Sequence, residues 1–119
     1  MHFKLIIALV RDDKTDIIMD AARMAGATGA TVLNQVHGEG IEAAKTFFGL
    51  NLEAQRDMLM FLVEAHISRD ILEHIERIGE FESKPGSGIA FQIDVEDAVG
   101  VSRQAAKISS AIQDNAHED

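Results

Sequence analysis

The sequence predicts an α+β fold: a four-stranded antiparallel sheet with two helices on one face, plus a short C-terminal helix. Three observations predict it. Four apolar runs read as strands, at Phe3–Val10, Ala30–Val36, Asp57–Ala65 and Ile89–Val95. Two amphipathic stretches separate them into the order strand, helix, strand, strand, helix, strand, which is the ferredoxin-like βαββαβ arrangement. The chain has 119 residues and 46% hydrophobic content, which suits one compact domain spanning residues 1–119. Its core must be aliphatic, because Trp and Tyr are absent.

The elements follow in order. FKLIIALV is nearly all apolar, so both faces of the first strand need a cover. Thr15 is placed to cap the first helix, and Gly26 to end it. The apolar stripe of that helix is Ile17, Ile18, Ala21, Met24 and Ala25. The turn GATGA leads to the second strand. Residues 38–56, GEGIEAAKTFFGLNLEAQR, are long for a hairpin connection, and long loops in compact domains tend to be functional. After the third strand, Ser68 is placed to cap the second helix, with Ile71, Leu72, Ile75 and Ile78 on one face. Glu73 and Arg77 have the spacing of an i,i+4 pair, and Gly79 is placed to end the helix. In the fourth strand Ile89, Phe91, Ile93 and Val95 share one side. Val101, Ala105, Ile108 and Ile112 give residues 101–114 helical spacing. The helices cover only one face of the sheet, yet LIIALV and MLMFLV are apolar on both sides. A dimer or trimer with its sheets packed together is the simplest cover.

The formal net charge of -9 argues against wrapping nucleic acid, which needs Lys and Arg to release counterions. Anionic lipid headgroups would also repel this surface. Without Cys there are no disulfides, no thiol catalysis and no thiolate metal site. MHFKLIIALV reads as a strand, because acidic RDDKTD follows at once and no small-residue cleavage site does. No run reaches membrane-span length, so the expected location is the cytoplasm, with no direct membrane insertion. The five histidines form no metal-binding spacing, and no Ser, His and Asp combine in a recognisable motif. The expectation is a protein that is not an enzyme and holds no metal.

Two segments carry the candidate chemistry. Gly86, Ser87 and Gly88 form a glycine turn that feeds a strand. It reads equally as a backbone cradle for an anion and as a turn that chain geometry requires, with Pro85 pre-setting it. From Ile89 to Ser102 there is no Lys or Arg. A ligand of low charge, such as a nucleoside monophosphate, a cyclic nucleotide or bicarbonate, suits such a cradle. Gly38, Gly40 and Glu42 read as a hinge whose backbone faces the ligand. Phe47, Phe48 and Leu50 are an apolar cluster in a polar loop. They either tuck back on the subunit or anchor a partner.

Four stretches resemble the PII signalling family, also called nitrogen regulatory protein P-II. KLIIALVR at Lys4–Arg11 is similar to its opening strand. AGATGATV at Ala25–Val32 follows its G-x-T-G-x-T-V turn. GEG at Gly38–Gly40 resembles the G-x-G that opens its T-loop. GSGIAFQIDVEDAV at Gly86–Val99 resembles its G-x-G-x-x-F-x-x-x-V segment. The resemblance implies a homotrimer with ligand clefts between subunits, which take a nucleotide or other small anion rather than a resident cofactor. It implies ligand contacts from Thr31, Gly38, Gly40, Glu42, Gly86, Ser87, Gly88, Ile89 and Arg103. It also implies that the loop at 38–56 docks on a target, a membrane transporter or a metabolic enzyme, through Phe47, Phe48 and Leu50. The chain departs from the family at several places. Ile89 stands where the family carries Lys, and the family's two Arg fall at Gly100 and Ser102, with Arg103 serving if the register slips by one. Phe48 stands near the family's modified Tyr, and Glu42 at its Gln. These losses predict weak ATP binding. The alternative is a constitutive interaction module that has lost nucleotide binding.

Overall fold

The computed structural model describes residues 2–36, 46–47, 50–51 and 56–100, without the side chains of residues 35, 36, 46, 47, 50 and 51. The C-terminal helix expected at 101–114 lies outside the described residues. The elements are β1 (Phe3–Arg11), a 3-10 turn (Asp12–Lys14), α1 (Thr15–Met24), β2 (Thr31–Val36), β3 (Thr46–Phe47), β4 (Leu50–Asn51), β5 (Arg56–Glu64), α2 (Ala65–Gly79) and β6 (Gly88–Asp94). Four strands form one antiparallel sheet in the order β2-β5-β1-β6. β3 and β4 pair separately, with Phe47 opposite Leu50.

The register sorts the sheet into two faces, because successive side chains point to opposite sides. On one face lie the rows Ala90–Ala8–Leu59–Val32 and Ile6–Phe61. These pack with Ile18 and Ala22 of α1 and with Ile71 and Ile75 of α2 to make the core. On the other face lie the rows Ile93–Leu5–Leu62, Phe91–Ile7–Met60 and Ile89–Leu9–Met58–Leu33. No described helix covers this second face, and Leu33, Leu62 and Ile93 are 46%, 38% and 47% exposed. The fourth-strand residues Ile89, Phe91 and Ile93 do share a side, and it is this open one.

Both expected N-caps are corrected. Lys14 occupies the N-cap position of α1, and no side chain caps the helix. Thr15 instead donates its hydroxyl across the core to Asp57 Oδ2 at 2.5 Å, both residues being buried. A hydroxyl committed to a carboxylate cannot also cap its own helix. α2 begins three residues earlier than the cap expected at Ser68. The strand β5 passes straight into it, and the Ala65 amide is satisfied by His2 O at 2.8 Å. Ser68 is thus a buried residue of the first turn, bonded back to Ala65 O at 2.8 Å. The α1 stripe is also rotated: Ala22 is buried while Met24 is 84% exposed. On α2, Glu73 pairs with Arg69 at 2.9 Å rather than with Arg77. Gly26 ends α1 as expected, at φ +118, with the amides of Gly26 and Ala27 folded back on Arg23 O and Ala22 O.

Near the opposite end of the sheet, Asp94 Oδ1 takes Lys4 Nζ at 3.2 Å and His2 Nε2 at 2.6 Å. Hydrogen bonds from Lys4 and then from His2 hold its carboxyl below the usual aspartate range. A depressed carboxyl stabilises the fold above its unfolded-state value, and this contribution is lost as pH falls through the lowered folded value. Proton titration by NMR should place Asp94 below an ordinary aspartate, and Lys4→Met should move it back up. Thr15→Val should lower stability by about 1–3 kcal/mol in chemical denaturation, because Asp57 loses a buried donor. An unchanged midpoint would remove the cross-core bond from the account of the fold.

Candidate functional site

The segment between α2 and β6 is built from within. Glu80 adopts the left-handed conformation at φ 59, and its amide and that of Phe81 return to Arg77 O and Glu76 O. The helix therefore stops at Glu80, one residue past the glycine expected to end it. Gly79 stays helical, and its small size serves Phe81: a Cβ there would lie 2.3 Å from the ring. Gly88 meets the same ring from the other side, at 2.5 Å, and also Leu9 O at 2.8 Å. The aromatic ring is thus wedged between two glycines, which lets α2 and β6 approach closely.

Glu80 O gathers the next residues. It accepts Lys84 N at 2.9 Å and Ser87 Oγ at 3.2 Å, and Lys84 Nζ reaches Glu80 Oε2 at 2.9 Å. Ser87 N donates to Lys84 O at 3.1 Å. Of the turn's two glycines, Gly86 needs its freedom for backbone conformation, at φ +84 with open space around it, whereas Gly88 needs it for packing.

Arg56, the first residue of β5, closes the turn from beneath. Its Nη1 donates to Ser87 O at 3.0 Å and its Nη2 to Gly86 O at 2.7 Å. Arg56 is only 4% exposed and sits opposite Arg11 in the sheet register. Burial, and then the Arg11 charge, push its guanidinium below its ordinary value. Arg56 also faces Val36, where β2 ends. The roots of the loop at residues 37–55 are therefore one bonded pair, and one root holds the glycine turn.

Of the residues expected at the ligand, Gly86, Ser87, Gly88 and Ile89 fall together at this end of the sheet. Thr31 lies elsewhere, at the start of β2, the edge opposite β6. One chain alone does not bring the two sets together. Gly38, Gly40, Glu42, Phe48 and Arg103 lie outside the described residues. Phe47 and Leu50 are placed by backbone only, as the facing pair of β3 and β4. Sequence reading missed Arg56, which it left as the last residue of the loop. The available signal was a lone cation where a polar loop meets an apolar strand.

An antiparallel βαββαβ sheet, with a long excursion between its second and third core strands and a glycine turn before the last, defines a PII-like protein of ferredoxin-type fold. The model of the family Nitrogen regulatory protein P-II matches residues 3–106, and the chain belongs to that family. Its members are regulatory proteins. A protein of Thermus thermophilus described as a PII-like signaling protein has 20% identity and a TM-score of 0.58, over 80% of this chain and 88% of that one. The apo form of CPII from Thiomonas intermedia, a nitrogen regulatory PII-like protein, has 19% identity and a TM-score of 0.60, over 80% and 90%. CPII bound to ADP, AMP and acetate gives 20% and 0.58, over 81% and 90%. At such identities the likeness shows the fold. No curated protein matches the chain.

The wedge makes a prediction with a change of sign. Gly79→Ala should cost about 1–3 kcal/mol in thermal or chemical unfolding, because the ring must move. In a Phe81→Leu background the same change should be neutral, or stabilise by up to about 1 kcal/mol through helix propensity. Equal costs in both backgrounds would show that the ring is not the obstacle.

Proposed function

We propose that this chain is the subunit of a cytoplasmic trimeric signalling protein. It senses a small ligand in clefts between copies and controls a target transporter or enzyme through the loop at 38–56. The observation that carries this reading is the placement of Thr31 and Gly86–Ile89 on opposite edges of one sheet. A ligand that touches both must bridge two chains. The open face with Leu33, Leu62 and Ile93 supports the same assembly, since covering it removes apolar surface from water at about 25 cal/mol per Å². Members of the P-II family are generally trimers that bind target proteins. Among the described residues, no helix is long and apolar enough to cross a membrane.

The ligand contacts in this reading are Thr31, Gly38, Gly40, Glu42, Gly86, Ser87, Gly88, Ile89 and Arg103. Phe47, Phe48 and Leu50 are the anchors for the target. ADP and AMP, the nucleotides of the CPII complex, are the first ligands to try. A second reading has its own support: the Ser87 amide and the Gly86 and Ser87 carbonyls are already bonded inside the chain. A turn satisfied in this way also serves a module that binds its target without any ligand.

Sedimentation should give three times the 13.0 kDa chain mass at micromolar concentration. A monomer would overturn both readings, because neither half of the cleft would have its second wall. Calorimetry with ADP and AMP then separates them: heat of binding favours the sensor, and silence favours the constitutive module. Alanine at both Phe47 and Phe48 should abolish capture of the target while leaving the trimer intact. Unchanged capture would remove the loop from the docking role.

A further inference from the structure

Arg56 is a buried cation with part of its hydrogen-bonding capacity unused. Two of its nitrogens hold the turn carbonyls, and its Nε has no partner among the described residues. The residue opposite it is another cation, Arg11. Like charges paired across a sheet are unfavourable, and a buried charge without an anion is costly. Directly beside them lies a depression of about 390 Å³, walled by Arg11, Arg56, Lys84 and the turn Pro85–Ser87, with Asp12 the carboxylate in its lining.

The other countercharges here sit in solvent. Arg11 pairs with Asp13 at 3.2 Å and Lys84 with Glu80 at 2.9 Å, all four side chains being exposed. Exposed pairs of this kind contribute only about 0–1 kcal/mol each, so a multiply charged anion can compete for both cations. Three positive groups on β1, β5 and the turn then converge on one small volume. Planar Arg and mobile Lys are the side chains that suit phosphate oxygens.

We propose that this depression binds a dianionic phosphate group, with Arg11 and Lys84 as its direct donors and buried Arg56 as the fixed charge behind it. The inference rests on the ligand-sensing reading above and gives that ligand its chemistry. The cations come from different elements than the positions of Ile89, Gly100 and Ser102, where the family resemblance expects them. A phosphate there also pulls on Arg56, which holds both the turn and the root of the loop, so occupancy reaches the docking segment through one side chain. The phosphate is either free or part of a nucleotide.

The test uses the full chain, calorimetry and two probes, inorganic phosphate and AMP. The wild type should bind at least one of them, weaker at high salt. The double variant Arg11→Gln with Lys84→Gln, both solvent-exposed side chains, should weaken binding by tenfold or more. The Arg56 Nε–H signal in NMR should shift as the probe is added. Binding of phosphate alone identifies a free anion, and tighter binding of AMP identifies a nucleotide. Silence with both probes overturns the site. A loss smaller than tenfold in the double variant overturns it too, and if AMP still binds, the ligand-sensing reading survives with its phosphate held elsewhere.

Discussion

The structure depends on one imbalance: the two central strands are apolar on both sides, and the helices cover only one. β1 and β5 contribute Ile6, Ala8, Val10, Leu59, Phe61 and Val63 to the buried core. The intervening residues, Leu5, Ile7, Met58, Met60 and Leu62, face the other way. A lone subunit leaves that side to water, which favours association of sheet on sheet. Because the edges of the sheet are then the places where copies meet, whatever stands on β2 and β6 becomes a neighbour of the next chain. The site and the assembly are in this sense one problem.

The turn before β6 shows how a functional-looking motif can be held by ordinary packing. Phe81 occupies the space that two missing side chains leave, at Gly79 and Gly88. The Glu80 carbonyl and the Arg56 guanidinium then bind the turn from two sides. Such a turn is rigid by construction. Rigidity suits recognition, since little ordering remains to be done when a ligand arrives. It also means that a signal leaving the turn has few routes, and the guanidinium is one that leads straight to the loop.

Much of the fold was legible in the sequence, because periodicity reports which residues face a core. The alternation in IAFQIDV and the stripe of Ile71, Leu72 and Ile75 were enough to place strands and helices within a few residues. The errors share a cause. Thr15 and Ser68 have the chemistry of caps, but their hydroxyls were claimed by Asp57 and by Ala65 O. Gly79 looked like a helix stop, but its reason lies two residues on, in Phe81. In each case a tertiary contact decided among local options that the chain itself left equal. The site was less legible. Glycine spacing pointed to the right turn, while Arg56 became visible only when the register set it opposite Arg11 and beneath the Gly86 carbonyl.

The facing of Val36 and Arg56 has a consequence for how this scaffold diversifies. The segment leaving β2 returns to β5 at the same point, so the sheet feels it only as a closed ring. The entropic cost of closing a ring rises with the logarithm of its length, by about 0.6 kcal/mol for each doubling. Residues can therefore be gained, lost or exchanged between those two anchors without retuning the sheet. Evolution is free to rewrite the sequence there for a new addressee, while the frame beneath stays as it is.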